Sequence, residues 1–361
     1  MKNSSKKKVA ILYSGGRYFG GIEQYLIDLF NNVDKNDFDL ELLSLGDWPL
    51  TERLTKEKHN VVRFSPKRIN LKSVKLIGDY LKNNNFDLLV SQGTVSNAYA
   101  RLVSSIYKIP NLVTVHSNPA GDYSNPATRI AYGLVDRLLR SSTHRYIAVS
   151  NYIKDQMIKN NIASDKIDVI YNGVVFHNPK LKSHKSIIIG SAGRLHPTKG
   201  YDLLLQAFAK LQNKDALLKI AGEGPELNHL TDLVKSLGIQ KKVEFVGFKE
   251  DIYEFLNSVD IYAQTSTHEG FGLLVVEAMS QALPIVVTPV GSLKEIVKNG
   301  ETGLIAADLW PESIAESLDK MISDPKLSKK LGKKSKQFVI ENFSVEKWIK
   351  ATVKAYKKAM K

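Results

Sequence analysis

The chain has 361 residues, a formal net charge of +14 and no cysteine. This length exceeds what one hydrophobic core usually serves and therefore predicts two domains of ordinary size. The absence of cysteine excludes disulfide scaffolds, thiolate nucleophiles and cysteine-ligated metals, and it favours a reducing compartment, so we expect a cytoplasmic location. The basic excess indicates an anionic partner without choosing among nucleic acid, anionic lipid and phosphorylated small molecules.

No segment of the sequence is typical of a signal peptide or of a membrane-spanning helix. The basic N-terminus is followed by the short apolar run "VAILY", which is shorter than a signal-peptide core. The longest apolar stretch, residues 273–287, is interrupted by Glu277, Gln281 and Pro284, whereas a spanning helix needs about 18 apolar residues. We therefore expect no membrane span and interpret the N-terminal run as the first strand.

Short β-rich runs alternate with longer helical ones, a pattern typical of parallel sheets with crossover helices. The first series of predicted strands is "KVAILYS", "DLELLSL", "NVVRFS", "DLLVSQG", "NLVTVHS", "RYIAVS" and "KIDVIYNG". Helices are predicted between them, for example over residues 21–33 and 71–83. The second series starts at "SIIIGSAGR" and continues with "ALLKIAGEG", "VEFVGF", "IYAQTS", "PIVVTPV" and "GLIA".

A polar, lysine-rich segment, "FHNPKLKSHKS", separates the two series and contains Pro179, which is typical of a linker between domains. The sequence therefore predicts an α/β protein of two Rossmann-like parallel-sheet domains facing each other across a cleft. We place the first domain at residues 1–178 and the second at residues 179–344. Residues 345–361 are helical by composition and carry Trp348 and Tyr356, so we expect this helix to pack back on the first domain.

Residues that follow the strands are the first candidates for chemistry, because ligands of open parallel sheets bind at the carboxyl ends of the strands. Gly20 and Gly21 precede a predicted helix after the first strand, an arrangement that lets backbone N–H groups approach an anion, although no G-x-G-x-x-G pattern is present. His116 follows "LVTV". Arg194 and Lys199 follow "IIIGSAG", and a planar guanidinium beside a mobile ammonium suits a diphosphate.

The segment "EGFGLLVVEA" places two glutamates around a glycine-rich helix start. The N–H groups of Phe271, Gly272 and Leu273 lie where a helix begins and its first N–H groups have no helical partner. Glu269 precedes this start, and Glu277 lies about 10 Å further along at about 1.5 Å per residue. Because carboxylates accept hydrogen bonds from paired hydroxyls, this layout fits a nucleotide sugar whose phosphates lie between two sugars.

A series of short motifs resembles one enzyme family in its order along nearly the whole chain. The motifs are "GGIEQYL", "TVHS", "AVSNY", "VIYNGV", "GRLHPTKG", "AGEGPEL", "VEFVGF" and "EGFGLLVVEA". The chain resembles the family 4 glycosyltransferases, which are retaining enzymes of the GT-B type with two Rossmann-like domains. The resemblance implies a hexosyltransferase that uses a nucleotide-sugar donor.

The resemblance also implies roles for individual residues. Arg194 and Lys199 would hold the donor diphosphate, and Glu277 would take the ribose hydroxyls. Glu269 and His116 would act as catalytic residues beside the donor sugar. The remaining implied donor contacts are Gly20 and Gly21 near the leaving phosphate, the backbone of Gly270, Phe271, Gly272 and Leu273 near phosphates and sugar, and Val246, Gly247 and Phe248 at the base. Ser150 and Asn172 also match family motifs, but the resemblance gives weaker support for direct contact of these two residues with the donor.

We expect neither a metal nor a cofactor. We interpret the D-x-D pattern of Asp37 and Asp39 as the start of a strand rather than as a metal site. The leaving nucleoside diphosphate would then be stabilised by Arg194, Lys199 and a helix N-terminus. By resemblance, the acceptor attacks from the face that the phosphate leaves, and that phosphate takes the acceptor proton. UDP is the expected nucleotide, and a hexose or N-acetylhexosamine is the expected sugar.

The acceptor is predicted less directly. The stretches "NLKSVKLIGDYLKN" and "ATRIAYGLVDRLLRSS" combine apolar faces with basic residues, as in a helix on the anionic inner leaflet or in a buried face with a solvated basic rim. These basic residues are Lys72, Lys75, Arg129, Arg137 and Arg140. The first interpretation predicts a glycan or polyprenyl-diphosphate-linked acceptor in envelope polysaccharide synthesis.

Two alternative functions stay open at this point. One is a catalytically silent GT-B binding subunit of a partner transferase, and the other is a GT-B sugar-nucleotide epimerase. Nucleic-acid binding is not expected, because the basic residues lack an interleaved aromatic stacking platform.

Overall fold

The computed structural model describes residues 6–16, 18–64, 71–117, 136–178 and 185–361. The chain forms two compact units, one comprising Met1–Asn172 with Val345–Lys361 and the other comprising Gly173–Ser344. Most of the predicted linker, residues 179–184 with Pro179, lies outside the described residues, as does Arg129.

The first unit contains a seven-stranded parallel sheet in the order β3-β2-β1-β4-β5-β6-β7. Its strands are β1 Lys7–Tyr13, β2 Phe38–Ser44, β3 Asn60–Arg63, β4 Leu88–Gln92, β5 Asn111–Val115, β6 Arg145–Ala148 and β7 Ile167–Val169. The helices of this unit whose bounds lie within the described residues are α1 Gly21–Asn32, α2 Pro49–Lys56, α3 Leu71–Asn83, α4 Thr94–Tyr107 and α5 Asn151–Lys159. The central strands are apolar and buried, as expected where helices cover both faces of a parallel sheet.

The second unit contains a six-stranded parallel sheet in the order β10-β9-β8-β11-β12-β13. Its strands are β8 Ile188–Ala192, β9 Leu217–Ala221, β10 Val243–Gly247, β11 Ile261–Gln264, β12 Ile285–Val287 and β13 Leu304–Ile305. Its helices are α6 Tyr201–Lys210, α7 Leu227–Ser236, α8 Ile252–Leu256, α9 Leu273–Ser280, α10 Leu293–Ile296, α11 Pro311–Ser323 and α12 Pro325–Asn342. The prediction of two Rossmann-like parallel-sheet domains is confirmed.

The last helix, α13 Val345–Ala359, belongs to the first unit although it follows the second in sequence. Its apolar face is buried, and Trp348 packs edge-on against Tyr25 of α1 with ring centroids 4.7 Å apart. Tyr356 packs against Phe38 at the start of β2. The helix thus covers apolar surface that the N-terminal part of the chain leaves open.

Each sheet has a topological switch point, where the strand order reverses. In the first unit it lies between β1 and β4, and in the second it lies between β8 and β11. Helices run to opposite faces of the sheet on the two sides of such a point, which opens a crevice at the carboxyl ends of the strands. A ligand site is therefore expected at these two switch points.

Metal sites and membrane spans can be examined in the part of the chain that the structure describes. There, no group of three or more histidine, aspartate or glutamate side chains is placed to hold a metal ion. Asp37 and Asp39 flank the first residue of β2, and their carboxylates lie near Lys357 and Lys6 respectively. Among the described helices, none is long and apolar enough to cross a bilayer.

Candidate active site

The loop after β8 carries the predicted diphosphate ligands of the second unit. Leu195 is fully buried and fixes the loop, because its N–H donates to the Glu223 carbonyl at 2.8 Å. Arg194, its neighbour, is exposed, and Lys199 lies at the end of a short 3-10 turn before α6. The buried Leu195 thus anchors a loop that carries the exposed Arg194 and the partly buried Lys199 at the switch point of this sheet.

Lys199 pairs directly with Glu269 from the loop after β11. Its Nζ lies 2.7 Å from Glu269 Oε2, and the two side chains are 24% and 12% exposed. A pair this enclosed is screened less by solvent than a surface pair. The structure therefore brings together two predicted site residues from opposite sides of the switch point.

A chain of hydrogen bonds holds the Glu269 carboxylate from behind. Ser266 Oγ donates to Glu269 Oε2 at 3.2 Å, and Gln264 Nε2 donates to Ser266 Oγ at 2.7 Å. The buried Tyr262 hydroxyl then donates to Gln264 Oε1 at 2.8 Å. Because each donor in this chain comes from β11 or its loop, the carboxylate position is set by a rigid strand.

Buried tyrosines beside this carboxylate remain neutral donors. Burial and the nearby Glu269 charge raise the pKa of Tyr201, whose hydroxyl donates to the Gly193 carbonyl at 3.1 Å. Burial raises the pKa of Tyr262 well above its ordinary value, and the charges of Glu277 and Glu269 raise it further. Both phenols thus stay protonated at physiological pH, so negative charge at the site is confined to carboxylates.

The loops after β8 and β11 are locked together through Gly200. This residue has φ +61°, and a Cβ built on it would lie 2.1 Å from the Thr265 carbonyl oxygen. Thr265 Oγ1 in turn donates to the Gly200 carbonyl at 2.8 Å, and the Thr267 N–H donates to the Thr198 carbonyl at 2.9 Å. Glycine is required here because both the conformation and the space exclude a side chain.

Helix α9 begins at Leu273, directly after Gly272 with φ +86°. The predicted segment Gly270 to Leu273 therefore ends at the helix start, where N–H groups and the helix dipole favour an anion. The Phe271 side chain is buried against Phe343, with ring centroids 5.8 Å apart. The Phe271 ring thus anchors the loop, which leaves only its backbone available for a ligand at the helix start.

Glu277 lies in the second turn of α9 and is 4% exposed. Along the helix it stands about 6 Å beyond Leu273. The structure therefore places Glu269 before the helix start and Glu277 beyond it, as predicted from their spacing.

The predicted base contacts lie at the edge of the same sheet. Gly247 ends β10 with φ +68°, and its carbonyl accepts the Gly222 N–H at 2.8 Å. Val246 is partly exposed and Phe248 is 46% exposed. Because β10 is two strands from β8, these residues lie about 10 Å from the Arg194 loop.

In the first unit, Gly20 is the N-cap of α1 and Gly21 is the first residue of that helix. Glu23, the third residue of α1, accepts the Gly20 N–H through Oε2 at 2.8 Å and the Tyr13 hydroxyl through Oε1. A Cβ on Gly21 would meet nothing within 4 Å, so packing within the described chain does not require glycine there.

His116 follows β5 and is held by two neighbours. Its Nε2 lies 2.5 Å from Gln92 Oε1 at the end of β4, and its ring packs edge-on against Tyr25 with centroids 4.8 Å apart. Burial lowers the pKa of His116 to about 3, so the imidazole is neutral at physiological pH. Because an amide oxygen only accepts, Nε2 carries the proton and Nδ1 is the acceptor.

Ser150 and Asn172, the two weaker candidates, occupy positions that the fold itself explains. Ser150 is the N-cap of α5, and its hydroxyl accepts the Ile153 N–H at 3.2 Å. Asn172 is buried at the end of the first unit.

Sequence reasoning missed several supporting residues. Glu23 had a local signal, because a glutamate at the third position of a helix commonly caps its start. Gln92 and Ser266 also stand at or just after strand ends, but neither carries a charge, and the glycine that follows Gln92 was its one local signal. They position His116 and Glu269 respectively.

Comparison with known proteins gives a consistent result across the chain. Residues 19–176 match the family description "Glycosyltransferase Family 4", and residues 175–338 match "Glycosyl transferases group 1". An uncharacterized glycosyltransferase of Methanocaldococcus jannaschii is 28% identical over 381 residues, covering 95% of this chain and 96% of the relative. The N-acetyl-alpha-D-glucosaminyl L-malate synthase of Bacillus anthracis is 33% identical over 145 residues, covering 40% of this chain and 38% of the relative.

The fold is shared with HepE of Anabaena, whose crystal structure was solved in complex with UDP and glucose. That structure superposes with a TM-score of 0.85 at 20% identity, covering 98% of this chain and 100% of HepE. The two family matches together extend from residue 19 to residue 338. With both domains of the fold matched in order, the chain belongs to the family 4 glycosyltransferases and is a GT-B glycosyltransferase.

Proposed function

We propose that this enzyme is a retaining, metal-independent transferase that moves a hexose or N-acetylhexosamine from a nucleotide sugar to a glycan or lipid-linked acceptor in envelope polysaccharide synthesis. UDP is the favoured nucleotide. The observation that carries the proposal is the enclosed Lys199–Glu269 pair at the switch point of the second unit. The UDP and glucose bound to HepE support this donor class.

The lysine and the glutamate have complementary tasks in this proposal. An ammonium has three donors, so Lys199 can keep its bond to Glu269 while it donates to a diphosphate oxygen. Arg194 on the same loop adds a planar fork for a second oxygen. Glu269 has a second carboxylate oxygen, which we assign to a hydroxyl of the donor sugar. The pair thereby fixes sugar and phosphate relative to each other.

The start of α9 supplies the remaining donor contacts. Backbone N–H groups from Gly270 to Leu273 would contact the phosphates and the sugar, and the helix dipole would add positive potential. Glu277, deeper in the helix, would accept from the two ribose hydroxyls. Val246, Gly247 and Phe248, at the sheet edge, would contact the base.

The chemical step would depend on charge that is already in place. Negative charge that develops on the leaving diphosphate would be stabilised by Arg194, Lys199 and the helix N-terminus, which replace the metal that other sugar transferases use. The leaving phosphate would accept the acceptor proton. Neutral His116 would donate and accept hydrogen bonds near the donor sugar without changing its protonation state.

Ligand-induced stabilisation tests the donor assignment. Thermal shift and calorimetry with UDP, GDP, ADP and their sugar conjugates, with and without Mg²⁺, should show binding of a UDP conjugate in both conditions, because a ligand of the folded state raises its stability. Lys199→Ala and Glu277→Gln should weaken it. Lys210→Ala is the matched control, since Lys210 makes an exposed pair with Glu312 at 2.9 Å in the same unit.

Two outcomes would contradict the proposal. Absence of binding to any nucleotide by folded protein would favour a binding subunit, and binding only with Mg²⁺ would refute metal independence. The retaining assignment is tested separately by NMR of the released or transferred sugar, whose anomeric configuration should match that of the donor.

A further inference from the structure

Helix α12 of the second unit carries an exposed lysine face, which we define as Lys326, Lys329, Lys330, Lys333 and Lys334. All five side chains are exposed. At 3.6 residues per turn they fall within an arc of about 140°, and they extend over about 12 Å of helix. The helix contains a single acidic residue, Glu341.

The opposite face of α12 is fixed to the protein. Leu331, Ser335 and Val339 are fully buried, and a Cβ on Gly332 would lie 2.1 Å from the Ala282 carbonyl oxygen. Ser335 Oγ also donates to the Met279 carbonyl of α9 at 3.5 Å. The helix is therefore held against the end of the helix that carries Glu277, with its lysines directed to solvent.

Several lysines elsewhere in the described residues form ion pairs. Lys357 and Lys358 of α13 pair with Asp37 and Asp168 at 3.1 and 3.0 Å. Lys75 of α3, which the sequence suggested as a membrane contact, pairs with Asp79 at 2.5 Å. By contrast, no carboxylate of the described residues lies within 4 Å of any ammonium in the lysine face.

The shape of the lysine face selects the kind of anion. The charges are spread along a convex helix rather than gathered around a concavity, which suits an extended surface more than a small phosphate. The one aromatic residue of α12, Phe338, lies beneath Lys298 and against Phe343, so the face offers no platform for base stacking. Ile340, 41% exposed, continues the face with an apolar group.

We propose that the lysine face docks the second unit on the anionic surface of a lipid bilayer. Clusters of four to eight basic residues on an amphipathic helix favour anionic lipids, and each contributes to attraction near the surface. This inference concerns where the enzyme works rather than what it transfers, and its test needs no sugar donor.

Sedimentation with vesicles tests this docking. The full chain should bind vesicles of phosphatidylcholine mixed with phosphatidylglycerol and should not bind vesicles of phosphatidylcholine alone. The triple variant Lys329→Gln, Lys330→Gln, Lys333→Gln should partition about 100-fold more weakly onto the anionic vesicles. Added salt should weaken wild-type binding, because it shortens the range of the attraction.

The control changes the same amount of charge elsewhere. The triple variant Lys159→Gln, Lys350→Gln, Lys354→Gln removes three exposed lysines of the first unit and should bind the anionic vesicles nearly as wild type does. Thermal melting and nucleotide binding of both triple variants verify the fold and separate this inference from the donor assignment.

Three results would overturn the inference. They are equal binding to neutral and anionic vesicles, equal loss of binding in both triple variants, and preferential binding of a soluble polyanion such as heparin over anionic vesicles at the same salt.

Discussion

The two units share one strand order around their switch points but present opposite chemistry there. In the second unit the crevice position holds an ion pair, Lys199 with Glu269, which is fixed by hydrogen bonds from β11. In the first unit it holds neutral groups, with His116 on Gln92 and Tyr25. The difference shows that topology selects where a site forms, whereas the residues at the strand ends select what it binds.

Removing the charge of Lys199 should have the largest effect. We expect Lys199→Ala to lower kcat by about 10²–10³, the loss found when one preorganised donor to developing charge is removed. Steady-state kinetics with the UDP-sugar identified by the binding screen measures it. Lys210→Ala, which breaks the exposed pair of the same unit, should change kcat less than twofold by the small energy of surface pairs. Equal losses of kcat in both variants would show that the enclosed Lys199–Glu269 pair has no special role compared with an exposed pair of the same unit.

Filling the space at Gly200 should disrupt the charged crevice through the backbone. Gly200→Ala puts a Cβ 2.1 Å from the Thr265 carbonyl oxygen at φ +61°, and we expect the free energy of unfolding to fall by about 3 kcal/mol. Gly238→Ala is the matched control, because Gly238 has a similar φ of +68° but a Cβ added there would meet no atom within 4 Å. We expect this control to lower the free energy of unfolding by about 1 kcal/mol. Urea denaturation compares the two. Similar costs would mean that the loops after β8 and β11 are not locked by close contact.

Placing a charge in the neutral crevice should convert its histidine into a titrating group. In Gln92→Glu the new carboxylate would lie beside His116 Nε2, and we expect the pKa of the imidazole to rise by about two units from about 3. NMR titration of the ring protons measures the shift, with Gln92→Met as the uncharged control. An unchanged titration would show that Gln92 does not contact His116 in solution.

The neutral histidine should also make the first unit sensitive to acid. Burial lowers the pKa of His116 from 6.5 to about 3. As the pH falls below 6.5, the imidazole is therefore protonated in the unfolded chain before it is protonated in the folded chain. The folded state consequently loses stability between pH 6.5 and about pH 3. We expect a loss of up to about 1.4 kcal/mol per pH unit in that window. Denaturation of wild type and His116→Gln at several pH values isolates this contribution. An identical pH dependence in the two proteins would contradict it.

The sequence predicted the fold because its strands are marked locally, and the candidate site residues were chosen from equally local signals. Strands read as apolar runs, and Arg194, Lys199 and Glu269 stand next to glycines after such runs. The Lys199–Glu269 pair itself was not predicted, since its members are 70 residues apart and meet only because β8 and β11 are neighbours. The membrane interpretation of Lys75 stays a prediction, and the structure adds that Lys75 pairs with Asp79, four residues further along the same helix.

Supporting residues were harder to predict for a related reason. Gln92 and Ser266 are ordinary polar residues at buried positions, and only the three-dimensional structure shows that they hold His116 and Glu269. A single sequence contains no signal that separates such residues from polar side chains satisfied within the core.

Helix α13 gives the chain an unusual order of completion during synthesis. Domains generally fold as units in the order in which they leave the ribosome, but here all of Gly173–Ser344 is made before the last helix of the first unit. Until that helix emerges, Tyr25 and Phe38 lack their partners Trp348 and Tyr356. The second unit is therefore complete first, and a chain that stops after residue 344 would keep the second unit intact while the first unit exposes aromatic surface.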